Sequence, residues 1–286
     1  MDRTLLLGLI LTALAFAAPL LLAALGELIG ERAGVLNIGL EGMMLIGALA
    51  GAAASFATKN AAAGLLLAML AGMALAAIFA LLAITLRADA VVVGTGLNLF
   101  ALGITGLAHR ALSARWGSYE AVEMPQWFFM AVGALLVPLL WWGFASTRLG
   151  LQMRAVGEYP VAADTAGVRV QRVRWLCTLI NGALCGMAGA FLSMSHTNSF
   201  GENMTAGRGF IALALVIFGR WNPWGALCGA ILFGAAEGSQ FFLQSRIGTL
   251  FYPLLLALPY ILTMLVLSGF AGKTRAPAAL AQPYER

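Results

Sequence analysis

The chain has 286 residues, of which 61% are hydrophobic and 10% are charged, and its net charge is +5. Soluble domains carry roughly 45–50% apolar and about 25% charged residues, so this chain has too little polar surface to face water on all sides. These figures exclude an ordinary soluble enzyme, and they exclude disorder, which requires low hydrophobicity and high charge. We predict an all-α, polytopic transmembrane helical bundle with a single domain over residues 1–286.

The apolar runs predict the membrane segments in chain order. About 20 apolar residues cross the hydrocarbon core as a helix, and seven runs qualify: 5–25, 35–58, 61–86, 90–108, 127–145, 175–195 and 249–270. The first run resembles a secretory signal but continues past its Ala-Phe-Ala at 15–17, which favours a retained span. The run 209–242 is broken at 219–223, which favours a short segment, a tight turn and a second span. We therefore expect about nine membrane segments, some interrupted or re-entrant.

Basic residues predict the orientation of these segments. The longest loop, 146–174, carries five arginines, and the tail 271–286 carries three basic residues. If both are cytoplasmic, eleven basic residues lie inside, Arg32, Arg87 and Arg220 among them, and six lie outside. The positive-inside rule then predicts a cytoplasmic C-terminus and an external N-terminus.

Polar residues between 27 and 44 interrupt an apolar region. Asn37 and Glu41 are four residues apart and share one face of a helix, while Gly34, Gly39 and Gly42 favour an irregular backbone. Such a backbone is tolerated within a membrane only where it is buried or lines a cavity. Asn37 and Glu41 are therefore candidates for a polar wall on a translocation path, and the alternative is a buried network that ties neighbouring helices together.

The fourth predicted span carries a second polar insertion, at Asn98 and Phe100. The amide of Asn98 can bond a substrate hydroxyl or a base edge, and the ring of Phe100 offers a stacking face. The alternative is an interhelical hydrogen bond and a packed ring. A third polar set around His196 and Arg208 is predicted to be a solvated external loop, and Glu237 is a membrane carboxylate without a partner identifiable from sequence.

No pattern in the sequence indicates catalysis, a metal or a nucleotide. The two histidines have no metal-ligand spacing, and the Walker sequence G-x-x-x-x-G-K-[ST] is absent. The three cysteines lie in apolar runs, without the spacing of a disulfide framework. We expect no enzymatic activity, no cofactor in this chain and no nucleic-acid partner.

The loop 146–174 contains the pattern of a short helix. Pro160 suits a first turn and Gly167 suits a C-terminal cap, so small side chains at Ala162, Ala163 and Ala166 are expected on its surface. Such a helix fits a groove on another protein, and the alternative is a helix held by anionic membrane lipid.

Four ordered motifs between Gly26 and Phe270 resemble permease subunits of bacterial ATP-binding-cassette (ABC) importers. They are GERAGVLNIGLEGMMLIGA, GTGLNLFALGITG, AVGEYPVAADTAGVRV and GRGFIALALVIFGRWNPWGALCGAILFG. The chain is similar to the branch with ribose, nucleoside and branched-chain amino-acid permeases, and most similar to its simple-sugar and purine nucleoside type.

This resemblance implies an inner-membrane permease that hydrolyses no ATP itself. It implies a second, related permease, an ATP-binding subunit with tandem nucleotide sites that holds ATP and Mg²⁺, and an external substrate-binding lipoprotein. It also places Glu158, Pro160, Ala162, Ala163 and Gly167 in the motif that couples to the ATPase. Purine nucleoside transport is expected first. A pentose or another simple sugar, or an ion-coupled secondary transporter, are the alternatives.

Overall fold

The computed structural model describes residues 3–244, Ile261 and 276–285, and within them the chain is a bundle of ten α-helices. They are α1 (Arg3–Arg32), α2 (Leu40–Thr58), α3 (Ala61–Ala80), α4 (Ala90–Trp116), α5 (Gln126–Ser146), α6 (Arg148–Glu158), α7 (Pro160–Thr165), α8 (Val170–Phe191), α9 (Arg208–Phe218) and α10 (Pro223–Gln244). Short π-helical turns, Leu81–Thr85 and Leu192–His196, extend α3 and α8. No strand occurs in the described part of the chain, as the all-α prediction requires.

Six helices among the described residues are long and apolar enough to cross a membrane, and α9 is shorter. The predicted total of about nine segments is not confirmed, and the predicted span 249–270 lies outside the described residues except for Ile261. The break within 209–242 is confirmed, because α9 ends at Phe218 and α10 begins at Pro223. The predicted span 35–58 begins later than expected, since residues 33–39 are not helical and α2 starts at Leu40.

Helix α1 is the centre of the bundle, with 94% of its most apolar stretch buried. It packs against α5, α8, α9 and α10. By contrast, only 22% of the corresponding stretches of α4 and α5 is buried. In a membrane protein such exposed apolar faces meet lipid or another subunit, so α4 and α5 form the periphery of this chain.

Glycines bring α2, α3 and α8 into backbone contact. A Cβ added at Gly47 of α2 would lie 2.5 Å from the Cα of Gly186 of α8, and one at Gly72 of α3 would lie 2.9 Å from that same atom. Small residues permit this approach in membrane helices. We call Gly47, Gly72 and Gly186 the glycine seam.

The C-terminal segment contacts several connections between helices at one end of the bundle. At this end, the Arg174 guanidinium donates to the Gln282 carbonyl (2.9 Å), and Arg87 forms an ion pair with Glu285 (2.9 Å). At the same end, the Ala279 N–H donates to the Gly157 carbonyl (2.9 Å). The C-terminal segment 276–285 thus lies on the face that carries the arginine-rich loop, which agrees with the shared side predicted for the loop and the tail.

Candidate functional site

The candidate site forms where residues 33–39, here called the link, join α1 to α2. The link turns back along α1, and the N–H of Asn37 donates to Glu27 Oε1 at 2.8 Å. The Gly34 φ of +82° lies in the left-handed region, which glycine adopts without strain. The irregular backbone predicted from the glycines is therefore present, and it is buried inside the bundle.

Asn98 of α4 holds the far side of the link. Its side-chain oxygen accepts the N–H of Gly42 at 2.8 Å, and its Nδ2 donates to the Ile38 carbonyl at 2.9 Å. The side-chain oxygen of Asn37 accepts the N–H of Gly39 at 2.9 Å. These two amides satisfy backbone groups that have no helical partner, which is the condition for irregular backbone at membrane depth.

The carboxylate of Glu41 lies at the N-terminus of α9. Its two oxygens accept the N–H groups of Gly207 and Gly209, both at 2.6 Å, and the residue is 9% exposed. Gly207 has a φ of +84° and supplies no side-chain cap. A helix N-terminus carries unpaired N–H groups and a partial positive charge, so a carboxylate from α2 completes α9.

Helix α9 is a half-length membrane helix. Its 11 residues span roughly 16 Å at 1.5 Å per residue, about half of a 30 Å hydrocarbon core. Its C-terminal end lies on the face of the arginine-rich loop, because the Arg32 Nε donates to the Trp221 carbonyl at 2.9 Å. The N-terminus of α9 and Glu41 therefore lie inside the bundle, away from both faces.

Arg208, the first residue of α9, forms an ion pair with Glu237 of α10. Both side chains are largely buried, with 15% and 18% exposure. The prediction of a solvated loop is therefore wrong for Arg208, because α10 brings a carboxylate beside it, and Glu237 has the partner that local sequence did not reveal. Glu202, which was predicted to lie in the same solvated loop as His196 and Arg208, is solvent-facing and pairs with Arg110 of α4 at 3.0 Å.

Two buried carboxylates of α1 were not among the predicted site residues. Besides the N–H of Asn37, Glu27 accepts the Asn181 side-chain amide of α8 at 2.7 Å. Glu31 accepts the indole N–H of Trp221. Their i, i+4 spacing on an apolar helix is a signal that sequence reasoning had available, since two carboxylates on one helical face require partners in a membrane.

Phe100 lies apart from these hydrogen bonds, on the outer side of α4. It is 54% exposed and lines an apolar groove between α2 and α4 with a volume of about 330 Å³. The groove is lined by Ile46, Leu49, Ala50, Ala53, Phe100, Ile104, Thr105, Ala108 and Leu112. The structure thus brings Asn37, Glu41 and Asn98 together around the link and places Phe100 in the adjacent groove.

The short helix predicted in the loop 146–174 exists, as α7, with Pro160 in its first turn. Gly167 follows it with a φ of +87°, as its capping role requires. The expected surface position of Ala163 is wrong: Ala163 is 4% exposed and contacts Val156 and Val170 of its own chain, because α7 folds back onto α6 and α8. Ala162 is exposed.

Glu158 is placed differently from the rest of the coupling motif. It ends α6, is exposed, and accepts the N–H of Ala278 at 3.3 Å. It therefore contacts the C-terminal segment.

The chain matches the family described as "Branched-chain amino acid transport system / permease component" over residues 9–267. It is 37% identical to the Haloferax volcanii protein "Putative glucose ABC transporter permease protein TsgC13", over 98% of both chains. It is 36% identical to the Bacillus subtilis guanosine ABC transporter permease protein NupQ, over 99% of this chain and 98% of that one. It is 34% identical to the Lactococcus lactis nucleoside ABC transporter permease protein NupC, over 93% of both.

A second Bacillus subtilis protein, the guanosine ABC transporter permease protein NupP, is less similar, with 25% identity over 77% of this chain. Two permeases of one organism are thus similar to this chain to different degrees. No solved structure matches it.

Proposed function

We propose a function from the premise that this chain belongs to the permease family of branched-chain amino acid transport systems. In this proposal the chain is a membrane-spanning subunit of an ABC importer for nucleosides. Relatives that cover nearly its whole length are named as guanosine and nucleoside permeases, which supports a purine nucleoside as the substrate. The relative named as a glucose permease supports a simple sugar as the second candidate.

The broken membrane core is the observation that carries this proposal. The link, the half-length helix α9 and the Glu41 carboxylate meet inside the bundle. Discontinuous helices at membrane depth are typical of transport proteins, where they surround a substrate path. A purely structural bundle has no need for such breaks, since an unbroken helix satisfies its own backbone.

In this proposal, Asn37, Glu41 and Asn98 frame the path and Phe100 lines it. The first three keep the link and α9 in place through hydrogen bonds to backbone groups. The groove beside Phe100 offers an apolar wall that suits the face of a planar base. It opens at the periphery of the chain, where a second permease would close it.

The proposed assembly and orientation follow the arginine distribution and the relatives. The face with loop 146–174 and the C-terminal segment is cytoplasmic and the N-terminus external, in a bacterial inner membrane. The presence of two related permeases in Bacillus subtilis supports a paired second permease. ATP and Mg²⁺ are held by a partner with tandem nucleotide sites, and an external lipoprotein delivers the substrate.

Coupling to the ATPase is assigned to the exposed side of α7. Ala162 faces outward, while Ala163 fixes α7 to α6 and α8. Pro160 and Gly167 set the two ends of α7, and Glu158 joins α6 to the C-terminal segment. Because one side of α7 is fixed to its own chain, a push from the ATPase on the exposed side is passed on to α6 and α8.

The substrate is tested by uptake of labelled guanosine into cells that express the complete importer. Excess unlabelled guanosine and adenosine should abolish the uptake, and excess ribose or glucose should leave it unchanged. Competition by a sugar but not by nucleosides would replace the nucleoside with the sugar, and uptake independent of ATP would remove the importer class.

Coupling is tested separately by Ala162→Arg, which places a large cation on the exposed side of α7. A close-packed interface does not absorb this volume, so we expect an assembled complex whose ATP hydrolysis no longer drives uptake. Ser118→Arg, exposed at the other end of the bundle, is the matched control. Full uptake by the Ala162→Arg complex would remove α7 from the coupling role.

A further inference from the structure

A cavity of about 240 Å³ lies at the loop-bearing end of the bundle, and none of Asn37, Glu41, Asn98 and Phe100 lines it. Its walls are the link, the turn before α4, the start of α8 and the C-terminal segment. The residues that the argument uses are Gly34, Arg87, Asp89, Arg174 and Gln282, all of which line it. Residues more than 100 positions apart in the chain therefore enclose one polar space.

Arg174 is the unusual member of this cavity. It is 4% exposed, and its Nη1 donates to the Gln282 carbonyl at 2.9 Å. Among the described residues, neither Nε nor Nη2 has a hydrogen-bond partner. Nε and Nη2 form the edge with which a guanidinium binds two oxygens of one carboxylate or phosphate. The free edge is thus the one suited to an oxyanion.

Arg87 and Asp89, the other charged residues in the described lining of the cavity, already have partners and do not neutralise the charge of Arg174. Arg87 is paired with Glu285 at 2.9 Å. One oxygen of Asp89 accepts the N–H groups of Val91 and Val92 and so caps α4. Among the residues that the structure describes, the hydrogen-bond partner of Arg174 is a backbone carbonyl and no carboxylate pairs with it, and a buried cation without a counter-charge is costly. An anion in the cavity would remove this cost.

We propose that this cavity binds a phosphate group, held by the Nε/Nη2 edge of Arg174, with Arg87 as a second cation in its lining. A cavity of this size accommodates a phosphate group, and basic pockets between helix ends on the cytoplasmic side bind phospholipid headgroups. The shared chemistry is a phosphate oxyanion, from either a lipid headgroup or inorganic phosphate. Because the C-terminal segment forms one wall, the bound group also ties that segment to α8 and the link.

The test measures binding to the full-length chain in a neutral detergent by native mass spectrometry. The probes are inorganic phosphate, a short-chain phosphatidylglycerol and the diacylglycerol with the same acyl chains, which lacks the phosphate. Phosphatidylglycerol binding without phosphate binding identifies a lipid headgroup as the source, and phosphate binding identifies the free anion. If neither phosphate nor phosphatidylglycerol binds, or if the diacylglycerol binds as well as phosphatidylglycerol, the proposal is overturned.

Variants locate the site. Arg174→Gln should weaken binding about ten- to a hundredfold, the loss expected for hydrogen bonds to a charged group. Arg172→Gln, two residues away and exposed, should leave binding unchanged. Glu285→Gln frees Arg87 from its ion pair and should tighten binding, an effect that a merely structural role for Arg174 does not produce. Equal binding by the Arg174 and Arg172 variants would reject the site, and the Glu285 variant keeps the test decisive if Arg174→Gln does not fold.

Discussion

The carboxylate of Glu41 offers the sharpest test of the broken core, because it serves two N–H groups at once. Glu41→Gln keeps one acceptor oxygen and loses the charge, and Glu41→Ala loses both acceptors. A hydrogen bond to a charged group contributes about 1.5–3 kcal/mol in soluble proteins, whereas side-chain hydrogen bonds between membrane helices average about 0.6 kcal/mol. We expect a loss of about 1–2 kcal/mol for Glu41→Gln and, with two buried N–H groups unpaired, about 3–4 kcal/mol for Glu41→Ala.

The measurement is reversible unfolding in mixed micelles. Glu123→Gln, an exposed carboxylate, is the matched control and should change the free energy of unfolding by less than about 0.5 kcal/mol. Equal stability of Glu41→Ala and the control would refute the capping role. Uptake by the Glu41→Gln complex then separates the two roles: total uptake that falls only in proportion to the assembled complex indicates a cap, and a lower turnover per assembled complex indicates a wall of the path.

Three further predictions concern other contacts. Gly189→Ala should prevent assembly of the bundle in a detergent stability assay, because its Cβ would meet the backbone N–H of Ala48 at 2.7 Å, whereas Gly103→Ala, with open space around it, should be neutral or stabilising. Asn98→Ala should lower uptake while the complex still assembles, since the link and the first turn of α2 each lose one hydrogen bond; normal uptake kinetics would make Asn98 purely structural. The hydrogen bond and charge of Arg110 lower the pKa of Glu202, so their contact should persist through the usual carboxyl range and be lost only as the pH falls through the lowered pKa. An NMR titration of the Glu202 carboxyl whose midpoint is the same in Arg110→Gln would contradict this.

Much of the fold was predictable because its signals are local. Glycines at 34, 39 and 42 predicted the irregular link, the break at 219–223 predicted the turn between α9 and α10, and Pro160 predicted the start of α7. Each of these features depends on the conformational limits of one or two residues. Local patterns of this kind need no knowledge of the partner helices.

The remaining features depend on contacts between distant parts of the chain. Ala163 is buried because α6 and α8 fold against it, although its local sequence is that of an exposed helix. The ion pair between Arg208 and Glu237 forms only because α9 and α10 lie side by side in the fold. The capping of α9 by Glu41, 166 positions earlier in the chain than Gly207, has no local signature at all. Polar residues in apolar runs showed that partners must exist, but the fold determined which ones.

The glycine seam limits how this protein can move. Helices that touch backbone to backbone have no intervening side chains whose rotamers could accommodate sliding, and close-packed contacts of this kind move as one body. The three helices joined at Gly47, Gly72 and Gly186 therefore form a fixed frame. Any opening and closing of a path through this subunit must come from parts outside that frame, and the loosely covered α4 and α5 lie outside it.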